Sequence, residues 1–451
     1  MIVLEAKLQG TDRQYGRLDE AIRTAQFVRN SCLRYWIDNK GVGKSDLSKL
    51  CAVLAKEFEW ANKLNSMARQ ASAERTWQSI AGFYDNCKKR KPGKKMRDGG
   101  GKDSSRHSLG FPRFKKNTRS VEYKTSGWKL SDDRKSITFT DGFAAGRFEM
   151  RGTRDLNFYQ ISQIKRVRVV RRADGYYAQF CVDVEREIKH EYTGKIVGID
   201  LGLEFFYTDS DGETIQNPRR LRKSEKRLKR LQKRVSRRKK GSANRNIAIN
   251  KMARQHLKVS RQRKDFAVKT AGALVASHDL IAYENLQVRN MVKNHKLAKS
   301  ISDASWRSRH LRPAVAQQVD WRSMFIDWVE YFAKLHKIVT VAVPPQYTSQ
   351  DCSACGERVK KTLSERTHQC LKCGTKLHRD HNAAKNILVK GLEVLGHKQS
   401  TDGQSGTNAW GENHLWLVEG NLGWLSGLVE PGNPRGDSME SPSIITSPWA
   451  Q

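Results

Sequence analysis

Acidic residues are scarce in this chain: 47 Asp and Glu stand against 84 Lys and Arg over 451 residues, a formal charge of +37. The excess is spread along the whole length instead of being confined to a tail. Such a surface repels itself unless a polyanion screens it, so nucleic acid is the expected partner. Long apolar runs are missing too. No stretch approaches the ~18 apolar residues of a spanning helix, which argues against a membrane role. The opening, "MIVLEAKLQGTDRQYG", lacks the apolar core and cleavage site of a secretory signal. Nor do the eight cysteines suggest disulfides: four form two Cys-x-x-Cys pairs, and Cys32, Cys51, Cys87 and Cys181 are scattered. A reducing, cytoplasmic compartment fits that usage. The length allows two or three domains.

What is present falls into stretches of different period. Leu18, Ile22, Ala25, Val28, Cys32 and Tyr35 are at helical spacing, as are Leu47, Leu50, Leu54 and Phe58, and then Ala73, Trp77, Ile80, Phe83, Tyr84 and Cys87. Residues 88–108 read as a basic, Gly-rich loop. The period then shortens. "VEYK", "WKL", "SITFT" and "RFEM" read as strands, and "IKRVRVVRRADGYYAQFCVDVE" as a hairpin turning at Asp174-Gly175, together suggesting a small barrel. "KIVGIDLG" is a buried-type strand ending at Asp200. Residues 219–240 hold fourteen Lys or Arg around Leu221, Leu228, Leu231 and Val235, the pattern of a basic helix, and a second helix is expected over about 248–277. "DLIAYENL" is an apolar strand ending at Glu284. A helix over 321–337, a strand over 338–344 and a helix from Asp380 to about Leu395 follow. Beyond residue 399 the Gly-, Ser-, Asn- and Pro-rich composition reads as disordered.

Cys352, Cys355, Cys370 and Cys373 form two knuckles separated by fourteen residues, each followed by a glycine. Four thiolates suit the tetrahedral preference of zinc, and a site without an open position is structural. Asp200 and Glu284 each end an apolar strand, and ligands gather at the carboxyl ends of strands. Asp380 opens a helix. Clustered, three such carboxylates would need divalent cations to neutralise them, and two Mg2+ ions about 4 Å apart are the usual arrangement in phosphodiester hydrolysis. Taken singly, each acid reads first as a helix cap or a solvated loop charge.

"VGIDLG", "AYENLQVRNMVKN", "SISDASW", "PPQYTSQDCSACG" and "HRDHNAAKNI", in this order, resemble the transposon-encoded TnpB family of RNA-guided DNA endonucleases, relatives of type V CRISPR effectors. The resemblance implies an α+β multidomain protein. A RuvC-like nuclease core of RNase H fold (191–346 and 379–398) would carry an inserted zinc ribbon (347–378). A β-barrel wedge domain (1–10 and 109–190) would carry a helical recognition lobe (11–108), and a tail (399–451) would follow. It implies catalysis by Asp200, Glu284 and Asp380 with Mg2+ or Mn2+, structural Zn2+, a guide RNA and a double-stranded DNA target. A monomeric ribonucleoprotein of the prokaryotic cytoplasm or nucleoid is expected. Ser66, Arg69 and Gln70 fall where the likeness places reading of a short DNA motif. Trp77 would stack on a base or lie in the core. "FPRFKKN", with Arg113, Lys115 and Lys116, would touch the RNA backbone. On the basic helix, Arg219, Arg220, Arg222, Lys226, Arg227, Arg230, Arg234, Arg237 and Arg238 would hold phosphates without choosing sequence. His378 and His381 depart from the family pattern beside Asp380. Two other readings stay open: an inactive guide-RNA-bound DNA-binding regulator, and a structural RNA-binding zinc-ribbon protein.

Overall fold

The computed structural model describes residues 1–88, 110–152, 155–286, 324–362 and 365–401. The basic loop of 89–109, the "SISDASW" motif and the tail from 402 lie outside the described residues. Met1–Leu388 forms one compact unit. From Val389 the description comprises only the rest of a helix ending at Thr401, five or six residues past the expected end.

Strand β1 (Ile2–Gln9) leads into α1 (Asp12–Asp38), capped by Thr11, whose hydroxyl accepts from the Gln14 N–H while the Gln14 side chain accepts from the Thr11 N–H. Helices α2 (Lys44–Glu57), α3 (Glu59–Asn62) and α4 (Ser66–Lys88) follow. Val28, Cys32, Leu47, Cys51, Leu54, Ala73 and Ile80 form the core between α1, α2 and α4.

β2 (Ser120–Lys124), β3 (Trp128–Leu130), β4 (Ser136–Phe139), β5 (Arg147–Arg151), β6 (Ile164–Arg172) and β7 (Gly175–Val182) join β1 in an antiparallel sheet of order β2-β6-β7-β1-β5-β4-β3. Its two edge strands, β2 and β3, are separated in sequence by only Thr125–Gly127. A flat seven-stranded sheet would set its edges roughly 29 Å apart, about twice the reach of that link, so the sheet must curl. The β6–β7 turn falls one residue earlier than expected. Arg172 pairs with Gly175, leaving Ala173-Asp174 as the loop, and Gly175 itself takes φ +133° as the first residue of β7.

The second sheet has order β10-β9-β8-β11-β12, from β8 (Ile196–Asp200), β9 (Phe205–Asp209), β10 (Thr214–Gln216), β11 (Leu280–Glu284) and β12 (Val339–Val343). β8, β11 and β12 are parallel, while β9 and β10 add antiparallel. The basic helix α5 (Arg220–Ser236) and the long α6 (Ala243–Ala276) form the excursion between β10 and β11. α6 begins earlier than expected because the Ser242 hydroxyl caps the Arg245 N–H. α7 (Phe325–His336) packs with α6 on this sheet through Phe206, Ala267, Ala271, Leu274, Phe325 and Val329. A two-stranded ribbon, β13 (Thr367–Gln369) with β14 (Lys376–His378), leads directly into α8 (Arg379–Thr401). Among the described residues no helix is long and apolar enough to cross a membrane.

Candidate active site

The register of β8 against β11 positions two of the acids. Ile199 pairs with Tyr283, so Asp200 and Glu284 fall side by side one step later, at the same end of adjacent parallel strands. Neighbouring strands lie ~4.8 Å apart. Gly198, two residues before Asp200, shares its face, and a Cβ there would come 2.3 Å from the Ala384 carbonyl oxygen and 2.7 Å from Leu388 N. α8 therefore lies against this face of β8. Asp380 is one turn before Ala384 on the same side of α8, and its Oδ2 would be 3.6 Å from a Cβ on Gly202. The amino end of α8, where backbone N–H groups leave partial positive charge, thus meets the strand-end acids.

Glu284 and Asp380 act electrostatically on Asp200. Asp200 titrates well above the usual carboxylate range, first through desolvation and then through the negative charges of Glu284 and Asp380, with Arg379 opposing. Glu284 and Asp380 are buried. Two buried carboxylates beside the half-buried Asp200 suit a divalent cation. This set is looser than the cysteine cluster: among the described residues only the four thiols fall mutually within 4.8 Å.

Glu284 is held by Thr348, whose Oγ1 donates to Oε1 at 2.5 Å. Asn386 Nδ2 of α8 donates in turn to the carbonyls of Thr348 (2.8 Å) and Asp351 (2.7 Å). Fully buried Asn382 donates to the Asp351 carbonyl (2.8 Å) and accepts from the Ser353 N–H (2.9 Å). Two asparagines on α8 so strap the segment that opens the cysteine ribbon against the helix bearing Asp380. These asparagines and Thr348 fall inside "HRDHNAAKNI" and "PPQYTSQDCSACG", but nothing local marks their role, because the asparagines meet distant backbone carbonyls and Thr348 a distant carboxylate. His378 accepts from the Asp380 N–H at 3.3 Å and so caps α8, while His381 bonds the Ser210 carbonyl at 3.1 Å.

In the ribbon, Cys352 and Cys373 sulfurs are 3.6 Å apart, as are those of Cys355 and Cys370. That is far beyond a disulfide bond. It is close to the ~3.8 Å edge of a tetrahedron with Zn–S bonds of ~2.3 Å. Both knuckles share one geometry: Gly356 N–H donates to the Cys352 carbonyl and Gly374 N–H to the Cys370 carbonyl, each glycine at φ +74°. The four cysteines could hold zinc.

The expected nucleic-acid residues do not form one patch. Ser66 is exposed at the start of α4 and Gln70 half-buried. Arg69 turns inward, its Nη1 donating to the carbonyls of Ala61, Asn62 and Leu64 at 3.1, 3.0 and 2.8 Å. Trp77 packs on the α1–α2–α4 core. Arg113, Lys115 and Lys116 are exposed on a segment strapped to α1 by Asn30, which bonds the Lys115 backbone at both N–H and C=O (2.9 Å each). Along the basic helix, Arg219, Arg222, Lys226, Arg227, Arg230, Arg234, Arg237 and Arg238 are exposed, and Arg220 is half-buried.

Residues 179–295 match the OrfB_IS605 family, described as "Probable transposase", and residues 323–387 match the Cas12f1-like TNB domain. Over these residues the chain is similar to both families. A Streptomyces pristinaespiralis protein named "Putative RNA-guided DNA endonuclease" is 35% identical over 44% of this chain and 46% of its own length. InsQ of Escherichia coli K12, named likewise, is 29% identical over 65% of this chain and 72% of its own. The chain thus spans about half the length of the first of these relatives. A solved Cas12f1–sgRNA–target DNA complex aligns over 84% of this chain and 83% of that one, with TM-score 0.48 and 16% identity.

Proposed function

We propose that this TnpB-like chain is an RNA-guided DNA endonuclease that hydrolyses phosphodiester bonds at Asp200, Glu284 and Asp380. The observation that carries this reading is the convergence of the three acids: Asp200 and Glu284 at adjacent parallel strand ends, and Asp380 at the start of the helix packed on them. The sheet, three antiparallel strands continued by two parallel ones, supports a RuvC-like core of RNase H type. Asp200, Glu284 and Asp380 would hold divalent cations, Mg2+ or Mn2+. When bound, these supply charge to activate water and to stabilise the departing oxygen of the phosphodiester. The protein's own part is positional. Thr348 fixes the Glu284 carboxylate, Gly198 lets α8 close on the sheet, and the amino end of α8 carries Asp380 to the strand ends. The curled sheet with α1–α4 we read as wedge and recognition domains, and the cysteine ribbon as a zinc-bound element loading the target strand. A guide RNA would supply sequence choice by pairing.

The test uses the RNA that co-purifies with the chain, sequenced and then matched by a DNA duplex, with Mg2+ present. Asp200→Ala with Glu284→Ala should lower cutting by about a thousandfold or more while RNA binding persists. Undiminished cutting by the double variant would remove these acids from the reaction. An inactive guide-bound DNA binder would instead show no cutting by the parent chain while still binding RNA and matching DNA.

A further inference from the structure

The basic helix was expected to meet nucleic acid along a diffuse charged face, yet its side chains line something more definite, a half-open groove. Arg220, Lys223, Ser224 and Arg227 follow helical spacing and make one stripe of α5. Together with Gln255 and Lys258, a turn apart on α6, they line a cavity of about 260 Å³. Toward the turn joining the helices the packing is apolar, with Val235 and Ala248 buried. At the cavity it is cationic and polar instead.

Three observations point to an anion here. Four cationic side chains line the cavity and, among the described residues, no Asp or Glu does. Arg220 Nε is shielded from solvent without a hydrogen-bond partner, a costly state for a charged donor. Gln255 is only 8% exposed and its Nε2 donates to Ser224 Oγ at 3.4 Å, so the wall is polar and held in place. The space falls just below that of typical small-molecule pockets, which suits a single hydrated phosphate better than a base with its sugar.

We propose that this cavity receives one phosphodiester group of a nucleic-acid backbone, gripped from α5 and α6 at once. The forked guanidinium of Arg220 suits two oxygens of one phosphate, while Lys223 and Lys258 add point charges from opposite walls. The inference rests on the nucleic-acid reading above and narrows it to one contact.

The experiment measures binding of the full chain, freed of co-purifying nucleic acid, to a short fluorescent single-stranded RNA and separately to a short DNA duplex, over a range of salt. Lys223→Gln and Lys258→Gln should each weaken binding by about tenfold. The double variant should lose less than the product of the two, because both side chains grip the same group. It should also lower the salt slope by about one phosphate's share, ~0.7–0.9. Loss on RNA alone, on DNA alone, or on both supports the cavity and names the polymer. Both variants should keep or raise the parent's unfolding midpoint, since each removes one of four crowded like charges. Unchanged affinity, losses that multiply as for separate solvated charges, or lowered midpoints in both variants would overturn the proposal. A parent chain that binds neither polymer would overturn the nucleic-acid reading as well.

Discussion

A single hydrogen atom in place of a methyl group sets the distance between α8 and the sheet. At Gly198 a Cβ would collide with backbone on both sides of one helical turn, at Ala384 and Leu388. Backbone cannot rotate away as a side chain does, so the whole helix would have to retreat. Gly198→Ala should therefore lower stability by about 1–3 kcal/mol, the usual cost of overpacking. Because Asp380 rides on the displaced helix, it should reduce cutting far more than RNA binding. Unfolding midpoints, cleavage rates and binding isotherms on one preparation check this; a variant that cuts like its parent would show that this contact does not place Asp380. The glycine is visible in "VGIDLG" as a letter, but its reason is not, since the helix it meets begins some 180 residues later.

The ribbon makes the corresponding argument at the scale of an element. β13 and β14 have three residues each, and buried groups nearby are few: Cys352, His368 and Cys370 lie in it, Thr348 at its base. An element this small cannot bury enough apolar surface to fold by itself, so binding of metal must supply the difference. Cys370→Ser should strip hydrogen-exchange protection from the ribbon while β8, β11 and β12 keep theirs. Cutting should fall with it, because the strap from Thr348 to Ser353 joins the ribbon to Glu284 and to Asn382 and Asn386. Full protection and full cutting in Cys370→Ser would deny the ribbon both roles. Here the cysteine spacing announced the two knuckles, and their meeting at one point, from four letters alone. The strap was illegible, since it consists of amide groups meeting carbonyls whose partners only the fold selects.

Over the whole molecule, local period revealed most helices and strands, because burial on one face imposes 3.6- or 2-residue spacing wherever an element packs. Sheet order was not readable that way. β1 lies between β7 and β5, so the first strand in sequence pairs with strands some 140 residues on or more, and no local signal encodes that choice. Charge is the other property belonging to the molecule as a whole, and it yields opposing expectations for salt. The +37 excess repels itself over distances that salt screens, from a Debye length of ~30 Å at 0.01 M to ~8 Å at 0.15 M. Against this, salt weakens exposed ion pairs such as Arg147–Glu149, whose worth is small. Buried pairs such as Glu122–Arg168 are screened much less. Repulsion should therefore win, and the unfolding midpoint of the nucleic-acid-free chain should rise with NaCl across that range. The same additions should weaken its hold on RNA, because phosphate contacts release counterions. Paired thermal-melt and binding titrations measure both signs on one sample. A midpoint that falls with salt would mean that exposed ion pairs, and not unpaired positive charge, govern the free chain.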